Sequence, residues 1–167
     1  SRGGRVVTQS LVVAKDPRLS SSVTDADLVR QYELARDIQT ERVRVAAALG
    51  QATSLRKQMA AAREHAKEAV LKALDDLPAA IDRIAGPPIP ESGAGYLDSN
   101  GDDPAMLRRV ASSLSELQSA VESADAAPTP DAVTGFAERK KVVATSLARW
   151  EQLLATEIAS AAKALEA

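Results

Sequence analysis

Between Pro104 and the C-terminus, apolar residues recur at spacings of three and four along two stretches of chain. The first stripe is Leu107, Val110, Leu114, Leu117, Val121 and Ala124. The second is Val133, Phe136, Val143, Leu147, Trp150, Leu154, Ile158, Ala161 and Leu165. Residues so spaced fall on one side of a 3.6-residue helix and leave a seam that another helix must cover. The expected fold class is therefore all-α, with helices packed on helices.

Length and composition narrow the choice. With 167 residues, 45% of them hydrophobic, the chain is sized for one core. Lys and Arg total 21 against 23 for Asp and Glu, so no net field attracts a polyanion. Only 2% of residues are aromatic, too few to stack the bases of a single-stranded nucleic acid. Nucleic acid is thus not an expected partner. Cysteine is absent, which excludes disulfides, thiolate metal sites and a cysteine nucleophile and leaves the redox compartment open. No run approaches the roughly 18 apolar residues of a membrane span, and Ser1-Arg2-Gly3-Gly4 lacks the apolar core of a signal peptide. A start without Met suggests a processed product or a fragment.

Residues 1–22 are expected to be an extended, strand-like segment and a connector. Arg5 to Lys15 is β-branched, with Val7, Leu11 and Val13 on one side, but the chain offers no partner strand. Pro17 and the serines that follow read as the connector.

Residues 23–167 then form the bundle, with helices expected at about 25–62, 66–85, 104–125 and 130–165 and a loop at 86–103. Thr24 and Asp27 make a capping pair at the first start, with Val23 and Leu28 as a hydrophobic staple. The inward face continues through Tyr32, Ala35, Ile38, Val45, Leu49, Ala52, Leu55 and Met59. Residues 60–67 contain neither Gly nor Pro, so a turn near Arg63 to Ala66 is inferred from length alone. Helix two turns Val70, Leu74, Leu77, Ile81 and Ile84 inward, and Pro78 should kink it. Asp103-Pro104 and Thr129-Pro130 each place a capping oxygen before a proline. The expected arrangement is an antiparallel up-down-up-down bundle of two long and two short helices. Its long members would overhang as a two-helix extension, with Leu28, Tyr32 and Ala35 facing Leu154, Ile158 and Leu165.

Residues that usually perform chemistry are sparse. His65 is the single histidine and has no cysteine to share a zinc site. Asp98 to Asp103 resembles the opening of a calcium loop, but Asp103 stands where the sharp-turn Gly belongs and Arg109 where the bidentate Glu belongs. Asp75 with Asp76, and Glu138 near Lys141, lie in registers that favour water rather than the desolvation that separates paired acids. Arg56, Lys57 and Arg63, and the run Arg139-Lys140-Lys141, are interspersed with acids as on solvated helix faces. Lys140 falls on the apolar stripe, where its stem can snorkel. No catalytic, cofactor-binding or metal-ligating residue is assigned.

The stretch Thr8 to Arg18 ending in Asp16-Pro17-Arg18, then Asp27-Leu28 with Gln31, Leu55-Arg56, the turn Ser123 to Thr129 and Trp150, resembles one junction in known proteins. It is similar to the C-terminal region of bacterial secreted sialidase-like proteins of the BNR/Asp-box, sortilin-like glycosyl hydrolase family. The resemblance implies a β-propeller and a small β domain upstream, whose last strand would be Arg5 to Lys15, and an extracytoplasmic location. It carries over no catalytic residue, because the Asp boxes and acids of such proteins lie in the propeller.

The expected function is that of a non-enzymatic accessory domain that packs on, spaces or oligomerises a larger protein. Its partners would be the upstream β domain or propeller, or a second copy of the chain. An amphipathic bundle that opens on lipid is one alternative, weakened by mixed charge and few aromatics. A glycoside hydrolase with its site at the 86–103 loop, using Asp98 or Asp102, is the other.

Overall fold

The computed structural model describes residues 8–19, 22–64, 71, 74–88 and 103–166. Among the described residues four helices carry the fold: α1 (Asp25–Arg63), α2 (Leu77–Ala85), α3 (Leu107–Glu122) and α4 (Pro130–Leu153). A π-helical turn, Leu154–Ile158, carries α4 on into α5 (Ala159–Glu166) without a break in direction. A 3₁₀ turn at Pro17–Leu19 precedes α1. The regular secondary structure of the described residues is all helix, with no strand among them. Val7 and the residues before it lie outside them, as do His65, Val70, Asp98 and Asp102.

α1 starts where its cap dictates. The Asp27 amide donates to Thr24 Oγ1 at 3.1 Å and the Thr24 amide donates to Asp27 Oδ2 at 2.9 Å, satisfying two of the free donors of a helix start. Val23 is buried and Leu28 half-buried, as a staple requires. From there Ile38, Val45, Ala48, Ala52 and Met59 are buried at heptad-like spacing. α4 begins equally as expected, with Thr129 Oγ1 accepting from the Ala132 amide at 3.2 Å. Leu107, Val110, Leu114, Leu117 and Val121 of α3 are buried, and so are Phe136, Val143, Leu147 and Trp150 of α4. Ser146, the buried hydroxyl among them, donates to the Val142 carbonyl at 2.8 Å.

The contacts fix the directions of the helices. Gln31 donates to the carbonyls of Val121 and Ala124, Arg42 reaches Gln118, and Arg108 and Ala111 line one cavity with Leu49 and Arg56. As the number rises along α1 it falls along α3, so the two are antiparallel. Val133 lies beside Arg30 and Asp37, Trp150 Nε1 donates to Gln51 Oε1 at 2.9 Å, and Ile158 and Ala161 lie beside Leu55 and Met59. α4 is therefore parallel to α1. Arg63 meets Leu74 and Asp75 while Arg56 meets Asp82 and Gly86, which makes α2 antiparallel to α1 as well.

The order is thus up, down, down, up, and the expected up-down-up-down arrangement is corrected. α1 has 39 residues and is about 58 Å long at 1.5 Å per residue. α4, the π turn and α5 together match it. No other described helix does, and α2 and α3 follow one another down the same side and together supply the third rod. The expected two-helix extension is absent for the same reason: Gln31 and Leu34, at the start of α1, meet the end of α3 and the start of α4, whereas Ile158 sits at the far end against Leu55 and Met59.

Three local expectations also change. Leu74 and Asp75 are helical, the helix breaks at Asp76, and Pro78 sits in the first turn of the α2 that restarts there, where its missing N–H is not needed. Asp103 does not cap α3; Met106 is the N-cap, and Asp103 Oδ1 accepts from the Ala105 amide at 2.9 Å in a turn before the helix. The π turn re-phases the last stripe, so that Leu153 is buried and Leu154 only partly so, while Ala161 returns to the core.

Candidate functional site

Two features remain after the core is accounted for. The first is the N-terminal segment. Leu11, Val12 and Val13 are 86%, 85% and 88% exposed, three consecutive aliphatic side chains in water. Residues 8–14 share no backbone–backbone hydrogen bond with any described residue. Immediately afterwards the chain is tied down: Lys15 Nζ donates to the Val23 carbonyl at 2.7 Å and pairs with Asp25 at 3.1 Å. Arg18 turns back on Asp16, its Nη2 2.6 Å from Oδ2, and this contact holds the half-buried Asp16 carboxyl below the usual carboxylate range. The segment is therefore presented from a fixed root, with Leu11 and Val13 on one side and Val12 on the other if it extends.

The second feature is the joint between α2 and α3. Gly86 ends α2 with φ 90° and ψ 152°, and a Cβ there would lie 3.1 Å from Met106 Sδ and 3.3 Å from Arg108 Cβ. The chain thus leaves α2 and re-enters at α3 from nearly the same place. Each border of the connecting segment is held by an ion pair to a long helix. Arg56 of α1 donates through Nη2 to Asp82 Oδ1 at 2.5 Å and to the Gly86 carbonyl at 2.7 Å. Arg149 of α4 reaches Asp103 Oδ2 at 2.7 Å. The Ala105 amide, and after it the Arg149 guanidinium, hold the Asp103 carboxyl below its ordinary value. Beside this joint opens a cavity of about 520 Å³ lined by Leu49, Thr53, Arg56, Lys57, Pro88, Arg108 and Ala111.

The other residues considered from sequence are dispersed. Asp75 pairs with Arg63 at 3.0 Å, and Glu138 with Lys141 at 2.7 Å, all exposed or nearly so. Asp103, the one described acid of the calcium-like stretch, is taken up by Arg149 and the Ala105 amide, and Arg109 lies on the exposed face of α3. Lys140 places its ammonium 5.6 Å from the centre of the Phe136 ring, which is how a cation sits on the apolar stripe. Among the described residues no three His, Asp or Glu side chains come together as a metal site would require. No described helix is long and apolar enough to cross a membrane. Arg108 was not singled out from sequence. It follows a stripe position and is buried, with the Gly86 turn close over its side chain.

The fold so defined by the described residues is all-α, with helices packed on helices. In comparisons with protein-family models, curated proteins and solved structures, no match to this chain was found.

Proposed function

We propose that this chain is a non-enzymatic helical accessory domain of a larger, secreted sialidase-like β-propeller protein, and that it works by packing against the β domain that precedes it. The observation that carries the reading is the run Leu11-Val12-Val13, exposed on a rooted segment whose backbone pairs with no described residue. The likeness of Thr8 to Arg18 to the last strand of such a β domain supplies the identity of the partner.

The energetics favour a sheet edge over a flat apolar patch. Burying three aliphatic side chains yields about 5–8 kcal/mol. Ordering seven residues of backbone opposes this by about 7–14 kcal/mol. The segment therefore binds firmly only where a partner also takes its N–H and C=O groups, as strand addition does. A two-stranded ribbon between two copies would be marginal, so a larger sheet is the better partner.

Amide hydrogen exchange tests this. The chain is compared with a longer one that includes the residues encoded upstream of Ser1. Residues 8–14 should exchange within seconds in the short chain and be strongly protected in the long one. Equal exchange in both, with a monomer in sedimentation, would overturn the accessory role.

A further inference from the structure

We infer that the outward face of α1 is a seam for a second copy of this chain, and that two copies pair through it antiparallel, with Glu33 of each against Lys57 of the other. On its inward side α1 packs on α3 and α4 and buries Ile38, Val45, Ala52 and Met59. The opposite side carries a second heptad pattern. Val29, Arg36, Val43, Gly50 and Lys57 stand seven apart, and Glu33, Thr40, Ala47, Ser54 and Ala61 follow each of them by four. Steps of four and three in alternation trace the seam of a coiled coil. All of these residues are exposed, Val29 by 53% and Val43 by 58%, and a Cβ built on Gly50 meets nothing within 4 Å.

The charges on the seam choose both the occupant and its direction. Glu33 and Lys57 lie about 36 Å apart along α1, too far to meet within one helix. Neither forms an ion pair with a described residue. In a parallel pair each would face its own counterpart, acid on acid and base on base, with Arg36 on Arg36, and such juxtapositions oppose association. In the antiparallel pair Val43 meets Ala47, Thr40 meets Gly50, Arg36 meets Ser54 and Glu33 meets Lys57, each contact occurring twice about a twofold axis. The seam is thus complementary to itself when one copy is reversed.

The remaining cations do not oppose this register. Arg36 lies over the Tyr32 ring at 5.9 Å and 3.7 Å from Asp37, and Arg44, near the twofold axis, pairs with Glu41 at 2.7 Å. Ala47, Gly50 and Ser54 let the helices approach to about 8 Å, the close end of helix packing. Tyr32, 65% exposed, adds apolar surface on one flank. From Val29 to Ala61 the seam runs about 48 Å and, with its flanks, engages about twenty residues of each copy, the lower end of a standard interface. None of residues 8–14 takes part, so the pairing goes beyond the accessory role and does not depend on it.

Sedimentation velocity of the chain from about 5 to 500 μM tests the pairing, and the parent should pass from monomer to dimer over that range. Glu33→Lys and Lys57→Glu each turn two attractions into two repulsions and should weaken the dimer about tenfold. The double variant exchanges the signs and should recover the parent's affinity, as should an equal mixture of the two single variants. Val43→Asp, at the centre of the seam, should leave a monomer throughout. Trp150 fluorescence at a dilution where the parent is monomeric reports whether each variant is folded, and the charge variants decide the matter if Val43→Asp is not. A dimer that ignores the reversals at 33 and 57 would place the contact on another face and overturn the assignment. A parent that stays monomeric to 500 μM would also overturn it, and if residues 8–14 are then still protected in the longer chain, the accessory role stands without the pairing. Protection of the exposed α1 face only in that longer chain would give the seam to the preceding domain and not to a second copy.

Discussion

Replacing glycine by alanine at two positions should move stability in opposite directions. At Gly86 the backbone has φ 90° and ψ 152°, a region that only glycine occupies freely and that costs a side chain about 1–3 kcal/mol. The new Cβ would also lie 3.1 Å from Met106 Sδ and 3.3 Å from Arg108 Cβ. The sulfur can give way, but the Arg108 Cβ is attached directly to α3 and cannot. About 0.4–1 kcal/mol is returned because alanine restricts the unfolded chain. The net expectation for Gly86→Ala is a loss of about 2–3 kcal/mol. At Gly50, inside α1, a Cβ meets nothing within 4 Å, so Gly50→Ala gains the helix preference of about 1 kcal/mol. Urea unfolding followed by Trp150 fluorescence and far-ultraviolet circular dichroism measures both. If Gly86→Ala is as stable as the parent, α2 and α3 do not meet at a Gly86 joint as described. If Gly50→Ala is destabilising, that face of α1 is covered and not open.

Leu114→Ala, at a fully buried position of α3, should cost about 2–5 kcal/mol in the same assay. Thr24→Ala removes the cap of α1 and should cost about 1 kcal/mol at neutral pH. Hydrogen bonds from Thr24, with the Arg30 guanidinium beside it, lower Asp27 to about 2. A carboxyl depressed in the folded state contributes stability above the unfolded value near 4 that is lost as pH falls through about 2, so the acid limb of a stability profile should be shallower in Thr24→Ala than in the parent. Replacing Leu11, Val12 and Val13 together by Ser should leave the unfolding midpoint of the isolated chain unchanged, because these side chains are almost fully exposed. A lowered midpoint would place them in the core.

The helix class and most inward faces were legible because periodicity reports burial directly. Thr24 with Asp27, and Thr129, set their helix starts from short-range chemistry that the sequence carries in full. Direction was not legible. A connector as short as Ala124 to Thr129 forces α3 and α4 to be antiparallel, and they are. The longer stretch from Gly86 to Asp103 imposes no reversal, and what decides it is how α1 meets both helices, Arg56 with Asp82 and Gly86, Leu49 and Arg56 beside Arg108 and Ala111, and Gln31 and Arg42 with the end of α3. The same contacts create the cavity, so its lining could not be read before they were known. Asp103 shows a different limit. As a residue before proline it matched a cap, but Arg149 draws its carboxylate to α4 instead. The β-branching around Leu11 to Val13 predicts a strand, but the described residues contain none, and residues 8–16 stand without regular secondary structure.

Spin-label distances offer the most direct test of the arrangement on which the joint, the cavity and the presented N-terminus all depend. The chain has no cysteine, so pairs introduced at exposed sites are labelled without background. Arg30 and Val133 border one surface depression at the lower end of α1 and α4, so Arg30→Cys with Val133→Cys should give a short distance, under about 25 Å. Lys163 lies 30 residues further along the same rod, so Arg30→Cys with Lys163→Cys should give about 45 Å at 1.5 Å per residue. The reverse result, with Arg30 close to Lys163 and far from Val133, would mean that α1 and α4 are antiparallel and would contradict the up, down, down, up bundle.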